Sequence, residues 1–302
     1  MSLPVSDPPG EDPPSIGQCA QVACVWESTA RKAGNVHRFA AFADLSYFDF
    51  ILSAMAVAPV FEQAPNHSVG QTVLGAMQAT RAVVSTNTNL GIALLLTPLA
   101  KACSPNRDRE LLRANLVTVL NQLTVEDARL VYEAIRRAQP GGLGTVPAQD
   151  VAGQPSQTLR EVMALAVQRD RIARQYTCDF ADVFELGMPA LVEGWEQLAS
   201  VEGAVIHCQL RWLAAFPDSL IARKRGTAEA EEATRWAQDV LGSGGLASPA
   251  GRREFAELDR WLRALGHSRN PGTTADLVTA CLFVALHSRS MEVSSPFPCA
   301  LL

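Results

Sequence analysis

One carboxylate, one hydroxyl and three cations fall within eight positions, from Asp218 to Arg225, in the stretch FPDSLIARKRG at 216–226. Such a cluster suits a polyphosphate. Arg223, Lys224 and Arg225 can supply charge-assisted hydrogen bonds to phosphate oxygens, while Asp218 takes a magnesium ion or the proton of a reacting hydroxyl. Gly226 lets the backbone come close to a ligand. The same residues would also make a solvated loop ahead of the next helix, so the weight rests on what other polar stretches accompany them.

Four more polar islands do so, each where a helical pattern begins or ends. KAGNVH at 32–37 follows a helix that Gly34 breaks, displaying Lys32, Asn35 and His37 on a short connection. TNTNLG at 86–91 precedes the apolar run that starts at Ile92, placing Asn87, Thr88 and Asn89 at a helix N-terminus, where anions bind well. An ordinary cap at Thr88 or Asn89 explains that island equally. PGGLG at 140–144 ends a helix, and Gly141 and Gly142 would permit close backbone approach. NPGTTADL at 270–277 opens the last helix, with Asn270, Gly272 and Thr273 at its start and Asp276 in its first turn.

The elements that must position these islands all read as helices. Capping boxes stand at Ser68/Gln71, Thr124/Asp127 and Thr158/Glu161, and Asp44 or Ser46 caps a helix through YFDFILSAMAVAPVF. LREVMALAVQRDRIARQY is expected as one continuous helix, and further helices are expected near 16–30, 180–199, 203–215, 228–241 and 250–265. Strands alternating with helices are absent, as is a strand-associated GxGxxG, which argues against the parallel-sheet nucleotide folds. The expectation is a single all-α domain of ten to twelve helices over 16–288, with a polar cleft at helix ends. A proline-rich segment at 1–15 is expected to stay disordered and 289–302 to form a flexible tail.

With 26 basic and 31 acidic side chains, a net charge of -5 argues against a general nucleic-acid binder. The longest apolar runs, at 90–100 and 275–287, are too short to span a membrane, and no signal-peptide pattern opens the chain. The terminal CALL matches a prenylation box of the kind that arises by chance, with no polybasic segment before it. Seven scattered cysteines form no CxxC pair, so neither zinc nor a disulfide framework is indicated and a cytoplasmic setting is expected.

The five islands in this order resemble the triphosphoribosyl-dephospho-CoA synthase family, and the likeness runs over about residues 20–286. The family's marks include Lys-Pro-Gly, an Asn-Thr segment, an Asp followed by Arg-Gly, and a terminal Pro-Gly-Gly-x-Ala-Asp-Leu. Here Ala33 replaces a proline, Asn89 and Leu90 occupy the His-Lys positions, and Thr273 replaces a glycine, while PGGLG differs from the usual Gly-x-Arg-Gly-Glu. The chain therefore resembles a divergent branch, similar to forms in archaea and in bacteria with pterin-based one-carbon metabolism.

What the resemblance implies is an all-α transferase that joins the ribosyl carbon of ATP to a hydroxyl of dephospho-CoA and expels adenine. Asp218 and Asp276 would be the catalytic carboxylates, with Asp218 also a magnesium ligand and Glu27 a further acid. Lys32, Arg223, Lys224 and Arg225 would hold the triphosphate with Mg2+, and Asn35, Asn87 and Asn89 the ribose hydroxyls or base. His37, Thr88, Gly141, Gly142, Ser219, Asn270, Gly272 and Thr273 complete the expected binding set. The partners implied are ATP and a small acceptor, with no nucleic acid or membrane, and the oligomeric state is left open, a homo-oligomer included. Two alternatives stand beside this: an acceptor from pterin-cofactor biosynthesis, or a nucleotide-binding assembly protein without catalysis.

Overall fold

The computed structural model describes residues 13–140 and 149–302. Among them the regular framework is α1 Ile16–Thr29, α2 Tyr47–Glu62, α3 Val69–Val83, α4 Leu90–Ala102, α5 Arg109–Asn121, α6 Val125–Ala138 and α7 Leu159–Ala164. It continues with α8 Arg171–Thr177, α9 Met188–Leu198, α10 Val201–Ala215, α11 Ser219–Arg225, α12 Thr227–Gly242, α13 Pro249–Arg263 and α14 Gly272–His287. No strand occurs among the described residues, so the all-α expectation holds, with fourteen helices where ten to twelve were expected.

The local chemistry of the helix starts is what the sequence promised. Each Ser or Thr of the pairs Ser46/Asp49, Ser68/Gln71, Thr124/Asp127 and Thr158/Glu161 accepts from the third helical N–H, and the partner side chain accepts from the cap residue's N–H. These reciprocal bonds satisfy donors that a helix end otherwise leaves orphaned. Packing then follows from apolar patterning. α14 is apolar around most of its circumference, with thirteen of its sixteen residues buried, and it lies between α1, α4, α9 and α10. A helix of that composition has to be central. A second apolar cluster joins α10 to α12 and α13 through Ile206, Leu210, Ala233 and Leu258.

Five stretches differ from the sequence reading. The expected helix over 159–176 breaks, because Asp170 Oδ1 accepts from the Ile172 and Ala173 N–H groups (2.8 and 3.2 Å) and starts a new helix, α8. FPDSLIARKRG is helical, with Asp218 as the cap of α11, where a loop was the plain alternative. α5 was not anticipated; Asp108 caps it. Residues 289–302 are docked rather than flexible: Val201 and Glu202 donate N–H groups to the Pro296 and Phe297 carbonyls, and Cys299 donates to Glu202 Oε2 (2.9 Å). Burial would raise the Glu202 carboxyl, but Arg31, the Cys299 N–H and Arg38 hold it at about 2. At the other end, residues 14 and 15 of the segment expected to be disordered are tied in, since Ser15 caps α1 and the Pro14 carbonyl accepts from Arg107 (2.6 Å).

Candidate active site

A cavity of about 630 Å³ opens among the C-terminal part of α1, the N-termini of α4 and α14, one face of α11, and the facing walls of α6 and α7. Helix N-termini present unpaired N–H groups and the positive end of the helix dipole, so two such ends at one cavity favour anionic ligands. Of the sequence-derived candidates, Asn35, Asn87, Thr88, Asn89, Arg223, Lys224, Asn270, Gly272, Thr273 and Asp276 lie on its wall, and so does Glu27. Gly141 and Gly142 lie outside the described residues.

The two candidate carboxylates are placed differently. Asp218 is 2% exposed and not on the cavity wall. Its Oδ1 accepts from the Leu220 and Ile221 N–H groups (2.8 and 3.0 Å), and its Oδ2 accepts from the N–H and hydroxyl of Thr274 (both 2.8 Å). One side chain thus caps α11 and ties it to the first turn of α14, leaving no lone pair in a favourable direction for magnesium or a substrate proton. Burial pushes its carboxyl up, and the bonds from Ile221 and Thr274 oppose that. Asp276 is on the wall and makes no hydrogen bond or ion pair among the described residues. Its carboxylate lies against the first turn of α4, so close that a β-carbon at Gly91 would sit 2.0 Å from Asp276 Oδ2. Burial, with the Glu27, Asp218 and Asp170 carboxylates nearby, pushes the Asp276 carboxyl well above its usual range, against the pull of Arg223.

The expected cations also separate. Lys32 is fully buried and spent on Glu27, reaching its Oε1 at 2.8 Å and its carbonyl at 2.6 Å, so it is off the cavity wall with its charge already paired and is not placed to take a phosphate. What it does is hold Glu27 in place on the wall. Arg225 pairs with Glu229 one turn on (2.7 Å), on the solvent side of α11. Arg223 lines the cavity and reaches Asp170 Oδ2 at 2.7 Å. Lys224 lines it too, with a weak 3.5 Å contact to the His267 carbonyl, and burial lowers its ammonium from the usual value. Ser219 is a structural tie, accepting from the Arg171 N–H (2.9 Å).

The asparagines and their neighbours are mostly scaffolding at the rim. Asn35 donates to Asn270 Oδ1 (2.6 Å) and accepts from Gln209 Nε2 (2.8 Å), which locks the first island to the last. Gly34, at φ +72°, makes the turn before it, where a β-carbon would strike Leu262. Thr88 bonds to Ser53 (2.6 Å) and Asn89 to Thr80 (2.8 Å), anchoring the start of α4 on α2 and α3. Asn87 accepts from the Leu90 N–H (3.2 Å) and leaves its Nδ2 without a partner among the described residues. His37 is off the wall; burial, then Arg263 and Lys32, lower it to about 4, so it is neutral near pH 7.

Among the wall residues that escaped the sequence reading are four charged or titratable ones near the polar end, Arg169, Asp170, Asp44 and His267. Arg169 makes no side-chain hydrogen bond or ion pair among the described residues, Asp170 pairs with Arg223, and Asp44 lies 2.8 Å from His267 Nδ1. Asp170 carried a usable signal, an acidic cap pattern inside RDRIA. Arg169 and the Asp44–His267 pair carried none, since their roles depend on neighbours distant in sequence.

The class that this arrangement defines is an all-α protein with a polar cavity between helix ends, basic at one rim and carrying a carboxylate without a partner among the described residues. A family model described as ATP:dephospho-CoA triphosphoribosyl transferase matches residues 13–294, and the chain belongs to that family. It is similar to the 2-(5''-triphosphoribosyl)-3'-dephosphocoenzyme-A synthase of Klebsiella pneumoniae, 33% identical over 107 residues, covering 35% of this chain and 37% of that protein. It is also similar to a Pseudomonas paraeruginosa protein named for the same synthase, 38% identical over 98 residues, 32% of this chain and 33% of that one. The matched stretches thus span about a third of the length of these curated relatives. A crystal structure titled for a triphosphoribosyl-dephospho-CoA synthase from Archaeoglobus fulgidus superposes with a TM-score of 0.61 at 26% identity, covering 78% of this chain and 97% of the other.

Proposed function

We propose that this chain is an ATP-dependent triphosphoribosyl transferase that joins the anomeric ribose carbon of ATP to a hydroxyl of 3'-dephospho-CoA. The observation that carries the reading is Asp276: an unpaired carboxylate at the meeting point of two helix N-termini, inside a cavity whose wall also carries Arg169, Arg223 and Lys224. The C–O bond to the acceptor forms as the bond from the anomeric carbon to adenine breaks; the acceptor's proton passes to Asp276 and is returned, through solvent, to a ring nitrogen of the departing adenine, so that neutral adenine leaves and the carboxylate is restored. Such a displacement has oxocarbenium character, which a carboxylate at the centre stabilises. A raised pKa makes the ionised Asp276 a stronger proton acceptor than an ordinary aspartate.

The cations then hold the triphosphate. Magnesium is expected to arrive with ATP, because no group of three or more acidic, His or Cys side chains among the described residues is arranged as a cage. Magnesium commonly takes one or two carboxylates and leaves the rest to phosphates and water. The Glu27 oxygen not used by Lys32 fits that share and leaves Asp276 to accept the proton; Asp218 does not fit. The relatives' names favour dephospho-CoA over a pterin-pathway acceptor. A cytoplasmic setting suits seven free thiols, and no helix among the described residues is long and apolar enough to cross a membrane.

Incubation with ATP, Mg2+ and dephospho-CoA should yield free adenine and the triphosphoribosyl adduct in equal amounts by mass spectrometry. Tight ATP binding with no adenine release would instead mark a nucleotide-binding protein without this catalysis.

A further inference from the structure

The cavity has two unlike ends. Around α4, α11 and α14 its wall is polar, with Asn87, Arg223, Asn270 and Asp276. Between α6 and α7 the facing walls are apolar, formed by Val131, Ile135 and Ala138 of one helix and Leu159, Val162 and Met163 of the other, with Tyr132, Gln139 and Gln149 as the polar residues beside them. The two helices are packed together, with the Leu159 N–H on the Thr124 carbonyl (3.1 Å), so this lobe is a built part of the fold. The chain leaving α7 joins the two ends: Arg169 donates its N–H to the Ala166 carbonyl, and the next residue, Asp170, holds Arg223. Arg169 therefore stands at the junction with a guanidinium that nothing among the described residues engages.

We infer, resting on the reading above, that the apolar lobe takes the pantetheine arm of the acceptor and that Arg169 holds the acceptor's diphosphate at the mouth of the lobe. Dephospho-CoA is an adenosine diphosphate with a long arm of methylenes and methyls interrupted by two amides, a hydroxyl and a terminal thiol, and the diphosphate sits where arm and nucleoside meet. The cavity repeats that order as an apolar lobe, an unpaired cation and a polar end with the reacting carboxylate. An adenine ring would want hydrogen-bond partners along its whole edge, and Asn35, Asn87 and Asn270 offer several together at the polar end, whereas beside the α6/α7 walls Gln139, the cap residue of α6, and Gln149 stand next to otherwise apolar side chains, a mixture that suits an arm of methylenes and methyls interrupted by amides. Arginine matches the paired oxygens of a diphosphate better than a point charge does.

The test uses Ala166→Phe, which fills the lobe, and Leu165→Asp, which puts a charge beside it at a wall position 53% exposed, where folding tolerates it. Steady-state kinetics would follow dephospho-CoA, ATP, and ADP as an acceptor lacking the arm. Both variants should raise KM for dephospho-CoA about tenfold, leave KM for ATP within about twofold, and remove the parent's preference for dephospho-CoA over ADP. Arg169→Ala should raise KM for both acceptors by about tenfold. A rise in KM for ATP in place of dephospho-CoA would put the ATP base in the lobe, and unchanged values throughout would leave the lobe without a ligand; either overturns the inference. Should the parent release no adenine at all, the proposed reaction fails separately. Calorimetric titration of the same proteins with dephospho-CoA and ADP then decides, and equal dephospho-CoA affinity in parent and lobe variants overturns the assignment.

Discussion

Asp218 and Asp276 have equal standing in the sequence, each an aspartate at the start of a helix inside a polar island, and the fold gives them opposite tasks. Asp218 receives four hydrogen bonds and links α11 to α14. Asp276 receives none among the described residues and faces the cavity, beside a glycine whose missing side chain leaves room for it. A saturated carboxylate is a structural joint. An unsaturated one, half-buried near other negative charges at a cost in stability, is what a reactive group looks like. The same contrast separates Lys32, consumed by Glu27, from Arg169, whose guanidinium has no partner among the described residues.

The sharpest way to break this comparison is Asp276→Asn. Loss of the proton acceptor should lower turnover by about 100- to 10,000-fold. Because the folded-state pKa is raised, the folded protein binds a proton more tightly than the unfolded chain, so stability contributed by this group falls as pH rises from the ordinary aspartate range, about 3.9, through the raised value. The amide carries no such penalty. The variant should therefore melt higher than the parent near pH 7, and the parent's activity should rise with pH through a step above the normal aspartate range. A parent-like rate, or a lower melting temperature with an unchanged pH profile, would make Asp276 a structural residue.

Asp218→Asn tests the other side, with a smaller effect read mainly in stability. One end of an amide cannot accept, so either the α11 cap or the Thr274 bonds are lost, at about 1–3 kcal/mol. The melting temperature should fall by several degrees, and residual activity should keep the parent's pH dependence. Should the variant melt like the parent and lose turnover, Asp218 would regain a chemical role and the contrast would collapse.

The contrast was only half legible in the sequence. Helix starts were readable because their bonds are local: Thr124 and Asp127 satisfy each other within one turn, whatever the rest of the chain does. The islands were readable too, as polar clusters at helix ends without an obvious packing purpose. What each polar residue does depends on partners far away. Asn35 is set by Gln209, 174 residues on, and Asp218 by Thr274, 56 residues on. Residues 289–302 looked free because their anchor, Glu202, is pinned by Arg31 and Arg38, and no local pattern connects the three. Arg169 sat inside an apparent continuous helix, and only the break made by the Asp170 cap brings it to the cavity mouth.

The smallest predicted effect completes the series on one helix. Lys224 and Arg225 are adjacent, and neither the charge nor the propensity of the two residues distinguishes them. The turn of α11 puts Lys224 on the cavity wall and Arg225 in solvent, so only the first should matter for the nucleotide. Lys224→Ala should weaken ATP by about tenfold, as expected for loss of one charge-assisted bond, and weaken AMP less, because the missing contact is to the outer phosphates. Arg225→Ala should leave both affinities and the melting temperature close to those of the parent. Its partner Glu229 also receives Arg269 at 2.6 Å, so the carboxylate keeps a cation, and exposed pairs of this kind are screened by water and salt. Comparable ATP losses for the two variants, measured by calorimetry, would mean that the solvent side of α11 also meets the nucleotide. The wall drawn here through Arg223 and Lys224 would then have to extend around the helix to Arg225.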